Sequence, residues 1–273
     1  MKNFLFYVGN ARAASTWLYG QLNVRGDCDL GKIKEKFFFQ EKIDLSPDFN
    51  KSDYYDYYSS LAEPECIKLV GDICPNNAYA SRDQLIAYNK ELSNRGFNIL
   101  PLMTLRDPLT QIMSEVIVFK YIDPVGILKQ NNKNLEEHGE NIVSTIMSQH
   151  DKTHVITVDD IMKHATTPLL WDVFPWSQTI DNCNAVFGKI KFNFYETLFN
   201  SDSLKGITDY LEIPYHEFNY QQKIFSLGNR VELSDDDKQT VYENYPFYKE
   251  NYEFAVEQFG KDFIESIWWT PYK

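Results

Sequence analysis

Between the apolar run Phe4 to Val8 and a helix-like stretch from Thr16 to Leu22 lies GNARAAST, residues 9 to 16. A turn from a buried strand into a helix N-terminus aims unbonded backbone N–H groups at whatever sits above it, and the helix dipole favours an anion there. Ser15 and Thr16 add hydroxyl donors, and Arg12 adds a planar cationic fork. That is chemistry for a phosphate or a sulfate. The plain alternative is a strand-to-helix turn with an incidental arginine. With one glycine and no lysine, the turn lacks the G-x-x-x-x-G-K-[ST] pattern of P-loop kinases and NTPases.

Other residues could join such a site. In LMTLRDPLTQIMSEV, Arg106 leaves a strand, Pro108 takes the favoured first position of a helix, and Ser114 follows eight residues after the arginine. On its residues alone, Arg106 reads equally as a surface or capping arginine. GKIKEKFFF, residues 31 to 39, sets Glu35 between Lys34 and Lys36, either a solvated strand edge or a carboxylate available as a base. GDICPNNAY, residues 71 to 79, offers Asp72 and Tyr79 in what reads as a turn. KIFSLGNR, residues 223 to 230, offers Arg230 near the flexible Gly228.

The elements that must position these groups are legible in outline. Apolar runs at Phe4 to Val8, Ile67 to Val70, Ile99 to Leu105 and Ile190 to Tyr195 read as buried strands. Helical stretches at Thr16 to Leu22, Asp83 to Ser93, Pro108 to Phe119 and Leu204 to Leu211 alternate with them. Alternation of this kind implies βα units and a largely parallel sheet in one α/β domain spanning residues 1 to 273. Pro101 cannot donate a ladder bond, which places the start of its strand after it. A mainly helical insertion is expected at about residues 120 to 185, with Thr157 as an N-cap and Asp160 three residues later. Leu233 to Trp269 also reads as helical, and Asp235, Asp236 and Asp237 suit a helix N-terminus rather than a metal.

Composition narrows the function. The 273 residues are 43% hydrophobic and 24% charged, as in an ordinary globular protein. A net charge of −12 disfavours nucleic acid and anionic membranes as partners, so an anionic ligand needs a local basic site. No apolar run approaches the roughly 18 to 20 residues of a membrane span. Cys28, Cys66, Cys74 and Cys183 show no metal-ligand spacing and read as reduced, mostly packed thiols, and His150 and His154 have no evident third ligand. The expectation is a cytoplasmic protein that uses no metal.

Taken in order, the motifs resemble those of sulfotransferases that use 3′-phosphoadenylyl sulfate (PAPS). The stretch from Arg12 through Ala13, Ala14, Ser15, Thr16 and Trp17 is similar to the family's 5′-phosphosulfate loop, with Ala14 where a glycine is usual. Arg106 and Ser114 fall on the 3′-phosphate motif, and KIKEKFFF resembles the segment that carries the base in the carboxylate-base members. The Tyr195-Glu196-x-Leu198 segment and the turn Leu211-Glu212-Ile213-Pro214 also match, with Glu212 replacing a glycine. Family members with a histidine base carry it between the two phosphate loops, whereas the first histidine here is His138, beyond both.

The resemblance implies a P-loop nucleotide-kinase-like three-layer α/β sandwich with a central, mostly parallel sheet. It implies sulfuryl transfer from PAPS to an acceptor hydroxyl, less readily an amine. Glu35 and Arg12 would be catalytic, and Arg106, Ser114, Gly228 and Arg230 would hold the nucleotide. Lys34, Asp72 and Tyr79 would border the acceptor. Two alternatives stay open: a sulfotransferase-like protein that binds a nucleotide or partner without transfer, and a P-loop kinase.

Overall fold

The computed structural model describes residues 1–32, 34–39, 53–121, 156–165, 174–219 and 233–271. Five strands form one sheet: β1 (Lys2–Tyr7), β2 (Cys28–Asp29), β3 (Leu69–Ile73), β4 (Phe97–Leu105) and β5 (Lys191–Phe194). Their order is β2-β3-β1-β4-β5 and every pairing is parallel. Among the described residues the helices are α1 (Ser15–Asn23), α2 (Tyr54–Leu61), α3 (Arg82–Asn94), α4 (Pro108–Tyr121), α5 (Val158–Ala165), α6 (Trp176–Phe187), α7 (Tyr195–Leu198), α8 (Ser201–Tyr210), α9 (Asp235–Asn244), α10 (Tyr248–Phe259) and α11 (Lys261–Ile267). None of them is long and apolar enough to cross a membrane.

A strand buried on both faces needs apolar residues at successive positions, and β1 supplies them. Phe4 and Phe6 pack into one cluster with Tyr54, Tyr58, Leu85, Tyr88 and Ile112, from α2, α3 and α4. Leu5 and Tyr7 point the other way, to Trp17, Leu18 and Leu22 of α1 and to Leu204 and Ile207 of α8. Helices therefore cover both faces of the sheet. Each fully buried side chain of this size contributes about 1.5–3 kcal/mol.

Pro101 lies inside β4, opposite Phe6 of β1, which corrects the expected start of that strand. β5 pairs with β4 only from Leu102 onward, so no ladder bond is lost on that side. The Pro101 carbonyl there accepts instead from the Tyr210 hydroxyl at 2.9 Å. The segment around Asp72 also differs from the expected turn. Gly71 to Ile73 belong to β3, and only Pro75–Tyr79 turn, as a short 3₁₀ helix. Gly71 is required by close packing, because a Cβ there would sit 2.5 Å from the Leu5 carbonyl oxygen.

The expected caps are in place. Thr157 Oγ1 accepts from the Asp160 N–H at 3.3 Å, while Asp160 accepts from the Thr157 N–H at 3.0 Å. Ser234 and Asp237 form the same reciprocal box at the start of α9, with three aspartates in the first turn. Cys28, Cys74 and Cys183 are buried, Cys66 is exposed, and all four are free thiols. The positions of His138, His150 and His154 lie outside the described residues.

Candidate active site

In a parallel sheet, ligand sites form at the carboxyl ends of the strands. The adjacent strands β1 and β4 end side by side, and each delivers one of the two expected phosphate-binding segments. Beyond β1, the Val8 N–H still bonds to the Leu102 carbonyl at 3.0 Å. Gly9 follows because no side chain fits there: a Cβ would lie 2.7 Å from the Tyr7 ring and 2.8 Å from the Thr104 nitrogen. Tyr7 itself is buried beneath the turn, its hydroxyl donating to the Ala13 carbonyl at 3.4 Å.

Arg12 and Ala14 both adopt left-handed backbone, with φ of 60° and 64°. Ala14 is the N-cap of α1 and offers no side-chain acceptor to the first-turn N–H groups. That leaves those donors for a ligand. Left-handed alanine costs about 1 kcal/mol relative to glycine. Ala14→Gly is therefore expected to raise the unfolding free energy by about 0.5–1 kcal/mol in urea melts, and unchanged or lower stability would contradict the strain at this position.

Arg106 reaches across from the end of β4. One of its terminal nitrogens (Nη1) donates to the Arg12 carbonyl at 2.6 Å and its Nε donates to Thr110 Oγ1 at 3.1 Å. The guanidinium carbon lies 4.3 Å from the centre of the Tyr195 ring. Arg12 Nε in turn donates to Ser114 Oγ at 3.1 Å. Two motifs 94 residues apart in sequence thus meet. Among the described residues Arg106 has no carboxylate at ion-pair distance. Burial and then the positive charge of Arg106 pull Arg12 down to about 10, while Glu115 and Glu35 act in the opposite sense. Two guanidiniums this close repel, so an anion between them would relieve the repulsion.

Ser15 is buried and Thr16 is half-buried at the start of α1. Trp17 is buried, its Nε1 donating to the Asn219 carbonyl at 3.2 Å and its ring edge-on to Phe199 at 5.0 Å. Asn10, in the same turn, is fully buried, and neither polar atom of its side chain has a partner. An unsatisfied buried amide costs about 1–3 kcal/mol, so polar groups are in surplus at this turn.

Glu35 forms an ion pair with Lys34, and its side chain is 18% exposed. Among the charges that act on Arg12, that of Glu35 ranks behind those of Arg106 and Glu115. Asp72 is buried, accepting from the Tyr54 hydroxyl at 2.9 Å and from Asn77 Nδ2 at 3.4 Å. Burial raises its pKa, opposed chiefly by the charge of Lys36. Tyr79 is 39% exposed on the surface, with its ring against Phe174. Asp72 and Tyr79 therefore sit in different surroundings. Gly228 and Arg230 lie outside the described residues.

One buried pair gave no functional signal in the sequence. Glu196 accepts from the Asp107 N–H at 2.9 Å and from Trp268 Nε1 at 3.0 Å, tying β4 to β5 and the C-terminal helices. Burial, then the Glu196 charge, pushes Asp107 up to about 7. Because the folded state holds this proton more tightly than the unfolded chain, the stabilisation is complete below about pH 4. It is lost as pH rises towards 7. Urea melts across that range should show the decline, and Asp107→Asn should flatten it. An equally steep profile in the variant would contradict the assignment.

No protein-family model and no curated protein matches this chain.

Proposed function

We propose that the protein transfers a sulfuryl group from PAPS to an acceptor hydroxyl, or less readily an amine, on a P-loop nucleotide-kinase-like scaffold. The observation that carries the proposal is the meeting of Arg12, Ser114 and Arg106 beside the uncapped N-terminus of α1. A single anion would be served by either arginine with the helix end. Two arginines from two strand ends suit a ligand with two separated phosphates.

When bound, the donor supplies an activated sulfuryl group on a phosphate leaving group. Arg12, Thr16 and the first N–H groups of α1 would hold the 5′ side and neutralise charge developing there. Arg106 and Ser114 would hold the 3′-phosphate. Glu35 would accept the acceptor's proton as its oxygen approaches in line. Alignment of acceptor and donor in one pocket supplies the remaining acceleration.

The ion pair between Lys34 and Glu35 favours a second reading, in which the carboxylate is structural and the protein binds the nucleotide without transfer. Incubation with radiolabelled PAPS and a panel of phenol, steroid and saccharide hydroxyls separates the two. Transfer of label without added metal is expected. Tight binding of adenosine 3′,5′-bisphosphate with no transfer to any acceptor would instead establish the binding-only reading.

A further inference from the structure

The segment that carries Glu35 is strained on both sides of one buried lysine. Glu35 has φ of 63° and Phe37 has φ of 50°, left-handed conformations that a side chain disfavours. Strain of this kind persists only where surrounding contacts enforce it. With Arg12 and Ala14, these are four of the six non-glycine residues with positive φ in the described structure.

Between the two strained residues lies Lys36. Its side chain is turned inward and only 2% of the residue is exposed. The ammonium donates to the Tyr58 hydroxyl at 2.8 Å and lies 4.7 Å and 5.1 Å from the ring centres of Tyr58 and Tyr57. Asp72, held by Tyr54 and Asn77, supplies the opposing charge. Burial pulls the ammonium down to about 8, and Asp72 is the largest of the influences that keep it protonated. A buried lysine with these partners is too enclosed to bind substrate.

We propose that Lys36 is a positioning residue, an internal pin whose hydrogen bond to Tyr58, with the charge of Asp72 opposing its own, holds the left-handed turn that carries Glu35. The inference rests on Glu35 acting as the base. Its alternative is a generic packing role, which would weaken every function of the protein together.

Lys36→Met keeps most of the volume and removes the charge, whereas Tyr58→Phe removes only the oxygen that the ammonium bonds. Both are compared with the unchanged protein for kcat with the best acceptor, for KM, and for the dissociation constant of adenosine 3′,5′-bisphosphate. The pin predicts a fall in kcat of about 10- to 100-fold in Lys36→Met and a smaller fall in Tyr58→Phe, because sub-ångström misplacement is enough to slow transfer. Nucleotide affinity should stay within about threefold, since the donor-binding turn is untouched. Parallel loss of kcat and nucleotide affinity would overturn the pin in favour of general packing, and unchanged kcat in both variants would overturn it outright. If Lys36→Met does not fold, Tyr58→Phe decides alone. Glu35→Gln run alongside separates the two levels: full activity there removes the base itself, whereas an inactive Glu35→Gln beside fully active Lys36 and Tyr58 variants removes only the pin.

Discussion

Arg12→Ala lowers kcat for sulfuryl transfer by about 10²- to 10³-fold, the loss typical when one preorganised donor to developing charge is removed. The substitution keeps the backbone carbonyl that accepts from Arg106, so the turn retains its link to β4. It also removes a charge that burial, and then the repulsion from Arg106, disfavours, so stability should change little. The catalytic loss is then separable from unfolding. Arg12→Lys should recover only part of the rate, because an ammonium restores the charge without the fork that bonds Ser114 and an anion together. Single-turnover measurements with saturating donor read the effect directly. A rate within about threefold of the unchanged protein in Arg12→Ala would remove Arg12 from the chemistry.

Arg106→Ala acts mainly on binding. Its guanidinium is held by Thr110, by the Arg12 carbonyl and over the Tyr195 ring, so it is rigid before the ligand arrives. A preorganised charge loses little side-chain entropy on binding, and truncating one partner of an enclosed charge pair costs about 2–5 kcal/mol. Affinity for adenosine 3′,5′-bisphosphate should therefore fall by at least about 30-fold. Affinity for adenosine 5′-monophosphate, which has no 3′-phosphate, should fall much less. Equal losses for the two nucleotides would mean that Arg106 shapes the turn and does not read the 3′-phosphate. At saturating donor the remaining rate should lie well above that of Arg12→Ala, which places the two arginines in different duties.

Much of the scaffold was written in local pattern. Five consecutive apolar residues at Phe4 to Val8 can only be buried on both faces, and Pro108 and Ser234 mark helix starts by their own chemistry. The pairing of GNARAAST with Arg106 and Ser114 came from the family resemblance, since on its residues alone Arg106 read equally as a surface or capping arginine; in the fold the adjacent ends of β1 and β4 bring the two segments together. Other features had no local signature. β2 is two residues long, too short for any period, and α2 reads YYDYYSSL, where tyrosines obscure the face that is buried. Pro101 was misjudged because the sequence does not show where the neighbouring strand begins. Asp72 read as a turn residue because Gly71 before it suggested one, although that glycine is there for close packing against Leu5. The left-handed backbone at Arg12, Glu35 and Phe37 is invisible in sequence, since none of the three is glycine and the enforcing contacts come from distant segments. The bond between the Asp107 N–H and Glu196 spans 89 residues and is equally silent.

The arginine pair as a site for a nucleotide with separate 5′ and 3′ phosphates is tested most directly by thermal unfolding with adenosine 3′,5′-bisphosphate, set against ATP with Mg²⁺. At a concentration 100 times the dissociation constant, linkage adds about 2.7 kcal/mol. For a domain of this size that is a rise in Tm of roughly 5 °C or more. The site described here predicts that rise with the bisphosphate and a much smaller one with ATP and Mg²⁺. No shift with millimolar bisphosphate, or a larger shift with ATP and Mg²⁺, would contradict it.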